Sequence, residues 1–414
     1  MKAKNNETHH NSFTRTNTPP LSWSAALLRL MLALPLVLLG AGMSVVVNPY
    51  ADVDWETVGQ HQANLHTHTT QSDGWLTPDR VIDEYRERGY TILALTDHNL
   101  CTWPWTELAT MERKGRAYQG DRAAGRQTTP ANVEEDDDDE EEAGAQRRRQ
   151  RAPAVSAYEN RFPEALGMLA VAGNEPSRHH HMGAYFIQYE TTSRELEQTL
   201  AEVAEAGGLA MLFHPGRYWE KDEAGNIPDE VVANYVRLYH ENDHLFGMEV
   251  INQGFRYKHD IELWDKVLAV VMPDRPVWGH ANDDMHAIGA LGRDSSMFLL
   301  DELTEQRLRE AMLKGRSYIR SVSTHDREER DMAETPIIRA ITHDADTGVI
   351  TISAASGGEA LPEDQYRWIS NGKEVHIGPS LNYQTTEGLG GYVRAEMRGK
   401  GGTAFTNPFG LAAP

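Results

Sequence analysis

Two histidines separated by one residue open the part of the chain that could do metal chemistry. His66 and His68 lie in the stretch NLHTHTTQSDG, and Asp73 follows five residues after the second histidine. Alternate side chains of an extended segment point to the same face, so both imidazoles can bind one metal ion. Because the chain contains 18 histidines, this pair alone is weak evidence.

Four further segments repeat this pattern. They are TDHN at 96–99, GNEPSRHHHMG at 173–183, FHPGR at 213–217 and GHANDDMH at 279–286. Each places His, Asp or Glu directly after an apolar run that is typical of a β-strand. Ligand residues that recur at strand ends indicate an α/β fold of the barrel type, which builds its site on one face. Amphipathic stretches between the runs, such as TPDRVIDEYRERG, predict the helices of such a fold.

The order of these motifs resembles that of the PHP (polymerase and histidinol phosphatase) family, over about residues 60 to 325. The resemblance implies an α/β fold, a distorted PHP-type β/α barrel, with up to three metal ions. Carried over by motif, the implied metal ligands are His66, His68, Asp73, His98, Glu175, His180, His214, Asp284 and His286.

One ligand position stays open between two neighbours. In the family, this histidine usually lies three residues before a glycine, and the spacing to Gly183 selects His180. His181 fits if the following strand begins one residue later. Closely spaced cations need a bridging carboxylate, and Glu175 is the natural candidate.

The donor set points to hydrolysis. Imidazole and carboxylate together suit Mn, Zn or Fe, and a set of this size would hold two to three divalent ions. Such a centre activates water and holds the attacked oxygen, which suits a small phosphoester as substrate. Glu175 and Asp284 are the catalytic candidates, and Arg178 and Arg217 the candidate substrate contacts. Dinucleotide-binding and P-loop motifs are absent.

The sequence leaves other functions open. The same site could cleave a carboxyl or carbamate ester, or the barrel could be a non-enzymatic, metal-stabilised binding protein. The net charge of −22 makes nucleic acid an unlikely partner, because an acidic surface repels a phosphate backbone. The charge does not come mainly from one insertion, since residues 134–151 carry nine acids and four arginines, which leaves −17 elsewhere.

Two segments are predicted to flank the metallohydrolase domain at 49–325, and a third is predicted to be inserted into it. Residues 1–48 contain the apolar run LMLALPLVLLGAGMSVVV, preceded by basic residues, and predict a signal peptide or an N-terminal membrane anchor. We therefore expect an exported protein, periplasmic or extracellular. Residues 113–153 contain EEDDDDEEE and RRRQR and predict a disordered charged insertion. Residues 326–334 are interpreted as a charged linker.

Residues 335–414 predict a small C-terminal β-sandwich-like domain. Short strand-like runs alternate with turn residues, and Asn371-Gly372 predicts a two-residue hairpin. The sequence TNP near the end resembles the C-terminal portion of a PHP branch that includes carbamate-ester (carbaryl) hydrolases. That likeness implies the ester alternative given above.

Overall fold

The computed structural model describes residues 42–112, 158–190, 193–322 and 331–413. Residues 1–41 of the predicted export segment and the whole of the charged insertion at 113–153 lie outside these ranges. Within the described ranges, no helix combines the length and the apolar character needed to cross a bilayer.

The largest sheet runs from the N-terminal strand to the first strands of the predicted barrel. Its neighbouring strands, numbered along the chain, are β1 (Ser44–Val47), β20 (Phe409–Ala412), β18 (Tyr392–Arg398), β19 (Thr403–Thr406), β11 (Ser317–Ser321), β10 (Asp294–Leu300), β2 (Gly59–Asn64), β3 (Ile92–Ala94) and β4 (Leu169–Val171). Strands β15 (Tyr366–Ser370) and β16 (Lys373–Ile377) extend it beyond β18. Only β2, β3 and β4 pair in parallel.

A second sheet faces the first. It contains β5 (Gly173–Asn174), β6 (Met182–Tyr185), β7 (Leu209–Leu212), β8 (Leu245–Asn252) and β9 (Trp278–Asn282). Strands β7, β8 and β9 are parallel, whereas β6 is antiparallel to both of its neighbours. Among the described residues the two sheets do not close into a barrel through strand pairing. They meet at single bridges, Thr67 with Met285 and His98 with Glu175.

Six helices connect and cover the strands of the described chain: α1 (Pro78–Glu87), α2 (Pro163–Leu166), α3 (Leu196–Glu205), α4 (Asp229–Glu241), α5 (Asp260–Val271) and α6 (Glu305–Lys314). Helix α1 begins after Thr77 with a proline in its first turn, as predicted. Helix α3 begins after Glu195. The Ser193 hydroxyl accepts a hydrogen bond from the backbone N–H of Glu195, which stabilises a local turn directly before the helix.

The apolar runs of the sequence form strands whose side chains are buried between the two sheets. Ile92, Phe213, Phe246, Trp278 and Phe298 pack in one buried cluster between strands of both sheets. Each large apolar side chain removed from water stabilises the fold by roughly 1.5–3 kcal/mol. This core lies beneath the ends of the strands that carry the candidate ligands.

The C-terminal strands do not form a separate unit. A small sheet of β12 (Ile337–Asp344), β13 (Val349–Ser356), β14 (Glu359–Ala360) and β17 (Ser380–Asn382) packs on the large sheet in a sandwich-like way. However, β19 pairs directly with β11 of the barrel region, Tyr318 opposite Thr406. The predicted division at 335 therefore runs through a continuous sheet. The boundary predicted at 49 also cuts off β1, which pairs with β20.

Candidate metal centre

The candidate ligands collect at one edge of the two sheets. His66 and His68 follow β2, His98 follows β3, and the other four strand-end ligands follow β5, β7 and β9: Glu175, His214, Asp284 and His286. Because β2, β3, β7, β8 and β9 run in one direction, their carboxyl ends meet at this edge. Strand β6 runs the opposite way, so its first residues arrive at the same edge.

Glu175 lies at the centre of the cluster and is fully buried. Its two carboxylate oxygens face different imidazoles. Oε1 lies 2.8 Å from Nδ1 of His181, 3.4 Å from Nε2 of His66 and 3.5 Å from Nε2 of His214. Oε2 lies 2.8 Å from Nδ1 of His98 and 3.3 Å from Nε2 of His68. This two-sided arrangement is what a carboxylate bridging two cations requires.

Two more carboxylates complete the cluster. Oδ1 of Asp284 lies 3.1 Å from Nε2 of His66 and 3.0 Å from Nε2 of His68. Oδ2 of Asp73 lies 3.3 Å from Nε2 of both His98 and His286. Asp73 therefore contributes to the side of the cluster away from His66.

The histidine at the open position is His181 rather than His180. The His180 ring is turned away, with Nε2 2.8 Å from the Tyr235 hydroxyl and its face stacked on Tyr218. His181 precedes the first residue of β6, and its ring approaches Glu175. Consecutive extended residues face opposite sides, so only one of the pair can enter the cluster. The geometry therefore places His181, and not the His180 favoured by the spacing, among the candidate ligands.

Several buried polar atoms of the cluster have no hydrogen-bond partner among the described residues. Within the described residues, both oxygens of Glu175, Oδ1 of Asp284 and Nδ1 of His181 and His214 are buried without a hydrogen bond of suitable geometry. Buried polar atoms without partners are rare in folded proteins unless a ligand or ion serves them. Four groups bring their donor atoms within 4.8 Å of one another: His68, Asp73, His98 and His286; His66, Glu175 and His214; His66, His68 and Asp284; and His98, Glu175 and His181. These residues fit divalent ions.

Charge in the cluster is balanced by the imidazoles. Burial alone would raise the pKa of Glu175, but His181, His98 and His66 hold it well below its usual value. Burial likewise opposes ionisation of Asp284, and the charges of His66 and His286 lower its pKa well below the usual value. Both carboxylates are thus held ionised, and a bound cation can replace the imidazolium charge that balances them.

Backbone strain is concentrated at the same edge. Asn99, His214 and Asp284 have φ angles of 57°, 27° and 43°, in the left-handed region that residues with side chains rarely adopt. Such conformations persist only where surrounding contacts hold them, and they cluster at functional sites.

Several polar residues around the cluster escaped the sequence reasoning. Glu249 lies behind His66, with Oε1 3.1 Å from Nδ1, and Asn252 and Asn282 donate hydrogen bonds to the same carboxylate. A glutamate inside the apolar run HLFGMEVIN was the signal that could have identified it. Asp97 of the TDHN motif connects the segment after β3 to the segment after His68, because its carboxylate accepts hydrogen bonds from Thr69 and Ser72.

The two arginines proposed as substrate contacts differ in setting. Arg217 is exposed and follows His214 by three residues. Burial opposes its charge, but Tyr218, Tyr257, Glu175 and Asp284 together raise its pKa, so the field of the cluster reaches its guanidinium. Arg178 is also exposed, three residues after Glu175. Both remain candidates for contact with an anionic substrate.

Several solved structures are similar to this chain, and three of them are compared by identity, coverage and TM-score. One is a two-domain protein from Bacteroides vulgatus containing a predicted PHP-like metal-dependent phosphoesterase, at 16% identity and a TM-score of 0.43, with 88% of this chain and 98% of that chain covered. Another is an amidohydrolase from Chromobacterium violaceum, at 16% identity and a TM-score of 0.30, with 55% and 88% covered. The third, from Bifidobacterium adolescentis, is provisionally described as a metal-dependent phosphoesterase, at 17% identity and a TM-score of 0.32, with 61% and 96% covered.

Comparisons of the sequence gave no further relative. No family model matches the chain, and no curated protein matches it. The chemistry proposed below therefore rests on the geometry of the cluster itself.

Proposed function

We propose that this protein is a metal-dependent hydrolase that cleaves a small phosphoester at a di- or trinuclear centre. The observation that carries the proposal is Glu175, whose two buried oxygens face five imidazoles without hydrogen bonds to any described residue. A single ion could use only part of this donor set. Bound Mn, Zn or Fe would supply an acidified water and a Lewis acid for a phosphoryl oxygen.

The proposed ligands divide over the cluster by their contacts. His66 and Asp284 form one end, Asp73, His98 and His286 form the other, and His68 belongs to the groups at both ends. His181 and His214 lie on the Oε1 side of Glu175. Glu175 lies between these groups, in contact with five histidines, and would be shared between neighbouring cations: His66, His68, His98, His181 and His214.

Proton transfer and substrate binding are assigned to Asp284 and to the two arginines near the cluster. Asp284 is ionised and has only 7% of its surface exposed, so we assign it to accept the proton of the attacking water at a carboxylate oxygen. Arg217 would pair with non-bridging oxygens of the substrate, and Arg178 is the second candidate for that contact. The buried floor formed by Phe213 beneath His66 excludes bulk water from this end of the cluster.

A hydrolase panel tests the proposal. Metal-free protein is reloaded with Mn, Zn or Fe and assayed with chromogenic phosphomonoesters, phosphodiesters, carboxyl esters and carbamates. We expect metal-dependent turnover of a phosphoester. In Glu175→Gln the amide offers one acceptor oxygen instead of two, so metal content and turnover should both fall while the circular dichroism spectrum is unchanged. Full activity of the metal-free protein would refute the proposal.

The panel also separates the alternatives. Turnover confined to esters or carbamates would favour the ester hydrolase suggested by the C-terminal TNP sequence. That sequence also has a structural role, because Asn407 accepts a hydrogen bond from Gly279 N and donates to Ser317. Metal binding without turnover of any substrate would favour a binding protein.

Partners and location remain proposals from the sequence. We propose a small-molecule substrate and no nucleic-acid partner, since the net charge is −22. We propose export to the periplasm or the exterior, with the N-terminal segment either cleaved or kept as an anchor. Fractionation of cells, with mass analysis of the mature N-terminus, tests both points.

A further inference from the structure

A second buried glutamate, Glu249, lies directly behind the cluster. It occupies the middle of β8, a strand whose residues are all buried, and none of its surface is exposed. A carboxylate removed from water is costly unless hydrogen bonds or charges replace its hydration. Its presence in this position therefore calls for partners that satisfy both oxygens.

Glu249 has such partners, and all of them are donors. Oε1 lies 3.1 Å from Nδ1 of His66 and accepts from Nδ2 of Asn282 at 3.0 Å. Oε2 accepts from the backbone N–H of His214 and from Nδ2 of Asn252, both at 2.9 Å. The carboxylate is thus fully engaged, in contrast to Glu175, whose oxygens have no hydrogen bond to a described residue.

The contact with His66 fixes which ring nitrogen is available. A carboxylate can only accept, so the proton of the neutral imidazole lies on Nδ1. Nε2 then presents its lone pair to the cluster, where Asp284 and Glu175 lie 3.1 and 3.4 Å away. The ring face is held by Phe213, stacked at a centroid distance of 3.7 Å.

Glu249 also supports His214 and Asp284, which lie at the same end of the cluster as His66. The backbone N–H that it accepts belongs to His214, whose φ of 27° needs support from its surroundings. Asn252 donates both to Glu249 and to Oδ2 of Asp284, the latter at 3.2 Å. One carboxylate thereby connects three proposed ligands that come from different strands.

We infer that Glu249 is a positioning residue, which orients His66, His214 and Asp284 for metal binding without binding metal itself. This inference rests on the proposed function, because it assigns the cluster to metal. Carboxylates placed behind a ligating histidine set its tautomer, and their loss typically lowers metal affinity about 10- to 100-fold. The described hydrogen-bond partners of Glu249 are His66, His214, Asn252 and Asn282, so the effect should be confined to the end of the cluster that contains His66.

The test is Glu249→Gln, with Glu396→Gln as its matched control. Glutamine keeps the shape of the side chain but replaces one carboxylate oxygen by an NH2 group. That NH2 group would face hydrogen-bond donors that now contact the carboxylate. We expect metal affinity at the end containing His66 to fall about 10- to 100-fold, with the Asp73, His98 and His286 end keeping its ion. Elemental analysis after stepwise chelation measures this. Glu396 is a buried glutamate paired with Arg394 and Arg398 in the C-terminal strands, and its variant should retain all metal.

A second measurement uses the unaltered protein, so its result does not depend on whether the Glu249→Gln variant folds. In Zn-loaded, 15N-histidine-labelled protein, His66 should show a proton on Nδ1 that exchanges slowly and couples across a hydrogen bond, and none on Nε2. A proton on Nε2 would overturn the inference, as would unchanged metal affinity in Glu249→Gln. Neither measurement uses a substrate. If the metals bind as described and nothing is hydrolysed, the proposed function fails and the role of Glu249 stands.

Discussion

Two adjacent histidines on the approach to β6 have opposite roles. His181 contacts Glu175 within the cluster, whereas His180 contacts Tyr218 and Tyr235 outside it. We expect His181→Ala to lose turnover by more than about 100-fold, because a direct ligand matters more than an outer partner. His180→Ala should change turnover less than about tenfold and mainly reduce stability.

Steady-state assays at saturating metal, with elemental analysis of each variant, check this pair. His179→Ala is a further control, since the His179 ring contacts Thr199 rather than the cluster. Loss of metal in His180→Ala with full occupancy in His181→Ala would restore the assignment that the sequence spacing favoured.

A buried acid on β10 predicts how stability depends on pH. Burial, assisted by Asp283, raises the pKa of Asp294 from an ordinary 3.8 to about 7. Between about pH 4 and 7 the folded chain holds a proton that the unfolded chain has released, so this group makes stability fall as pH rises through that window. Urea denaturation of the metal-free protein across the window should show a smaller slope in Asp294→Asn. An equal slope in the variant would show that Asp294 does not titrate there.

Most residues of the cluster could be predicted from the sequence because each follows an apolar run in a recognisable motif. The choice between His180 and His181 could not, because it depends on where β6 begins, and MGAYF does not show its first paired residue. Glu249 could not be assigned either, since its partners come from β2, β7 and β9, which only the fold brings together.

At the scale of elements, an ion pair joins helix α5 to strand β18. The guanidinium of Arg394 donates to both oxygens of Asp265 at 2.8 Å, and both side chains are buried. Arg394→Leu leaves the carboxylate of Asp265 without its main partner in the interior. Removing one member of a buried pair costs about 3–5 kcal/mol.

Urea denaturation of metal-loaded protein measures this loss. The double variant Asp265→Leu, Arg394→Leu should recover more than half of it, because Asp265 no longer leaves a buried charge unpaired and Glu396 keeps its contact with Arg398. Metal content should stay normal in both variants, since neither residue contacts the cluster. A loss below about 1 kcal/mol in the single variant would mean that the pair is effectively solvated.

The elements differ in how far local sequence determines them. The hairpin at Asn371-Gly372 was predictable because two-residue turns of this type need positive φ at both positions, and these are 50° and 68°. The membership of β18, β19 and β20 in the large sheet was not predictable. It depends on pairing between β19 and β11, which are separated by some 80 residues, and their local patterns fit a separate domain equally well.

At the scale of the whole molecule, deletion of the charged insertion tests whether folding and metal binding depend on it. The segments that flank it lie together, with Ala109 N donating to Asn160 and Arg161 N donating to Trp105 O. Shortening a connection between ends that are already close changes loop-closure entropy little. We therefore expect deletion of residues 119–151 to leave turnover and metal content within about twofold of the full chain. Insoluble or metal-free protein would show that the insertion is required.

Metal content tests the central claim most directly, because it bears on the whole cluster before any substrate is known. Protein purified without chelators and reloaded with Mn, Zn or Fe is dialysed and analysed for metal and protein in the same sample. The two-sided contacts of Glu175 and the separate group around Asp73 predict two to three divalent ions per chain. One ion or none in a preparation that is folded and fully active would contradict the multinuclear centre.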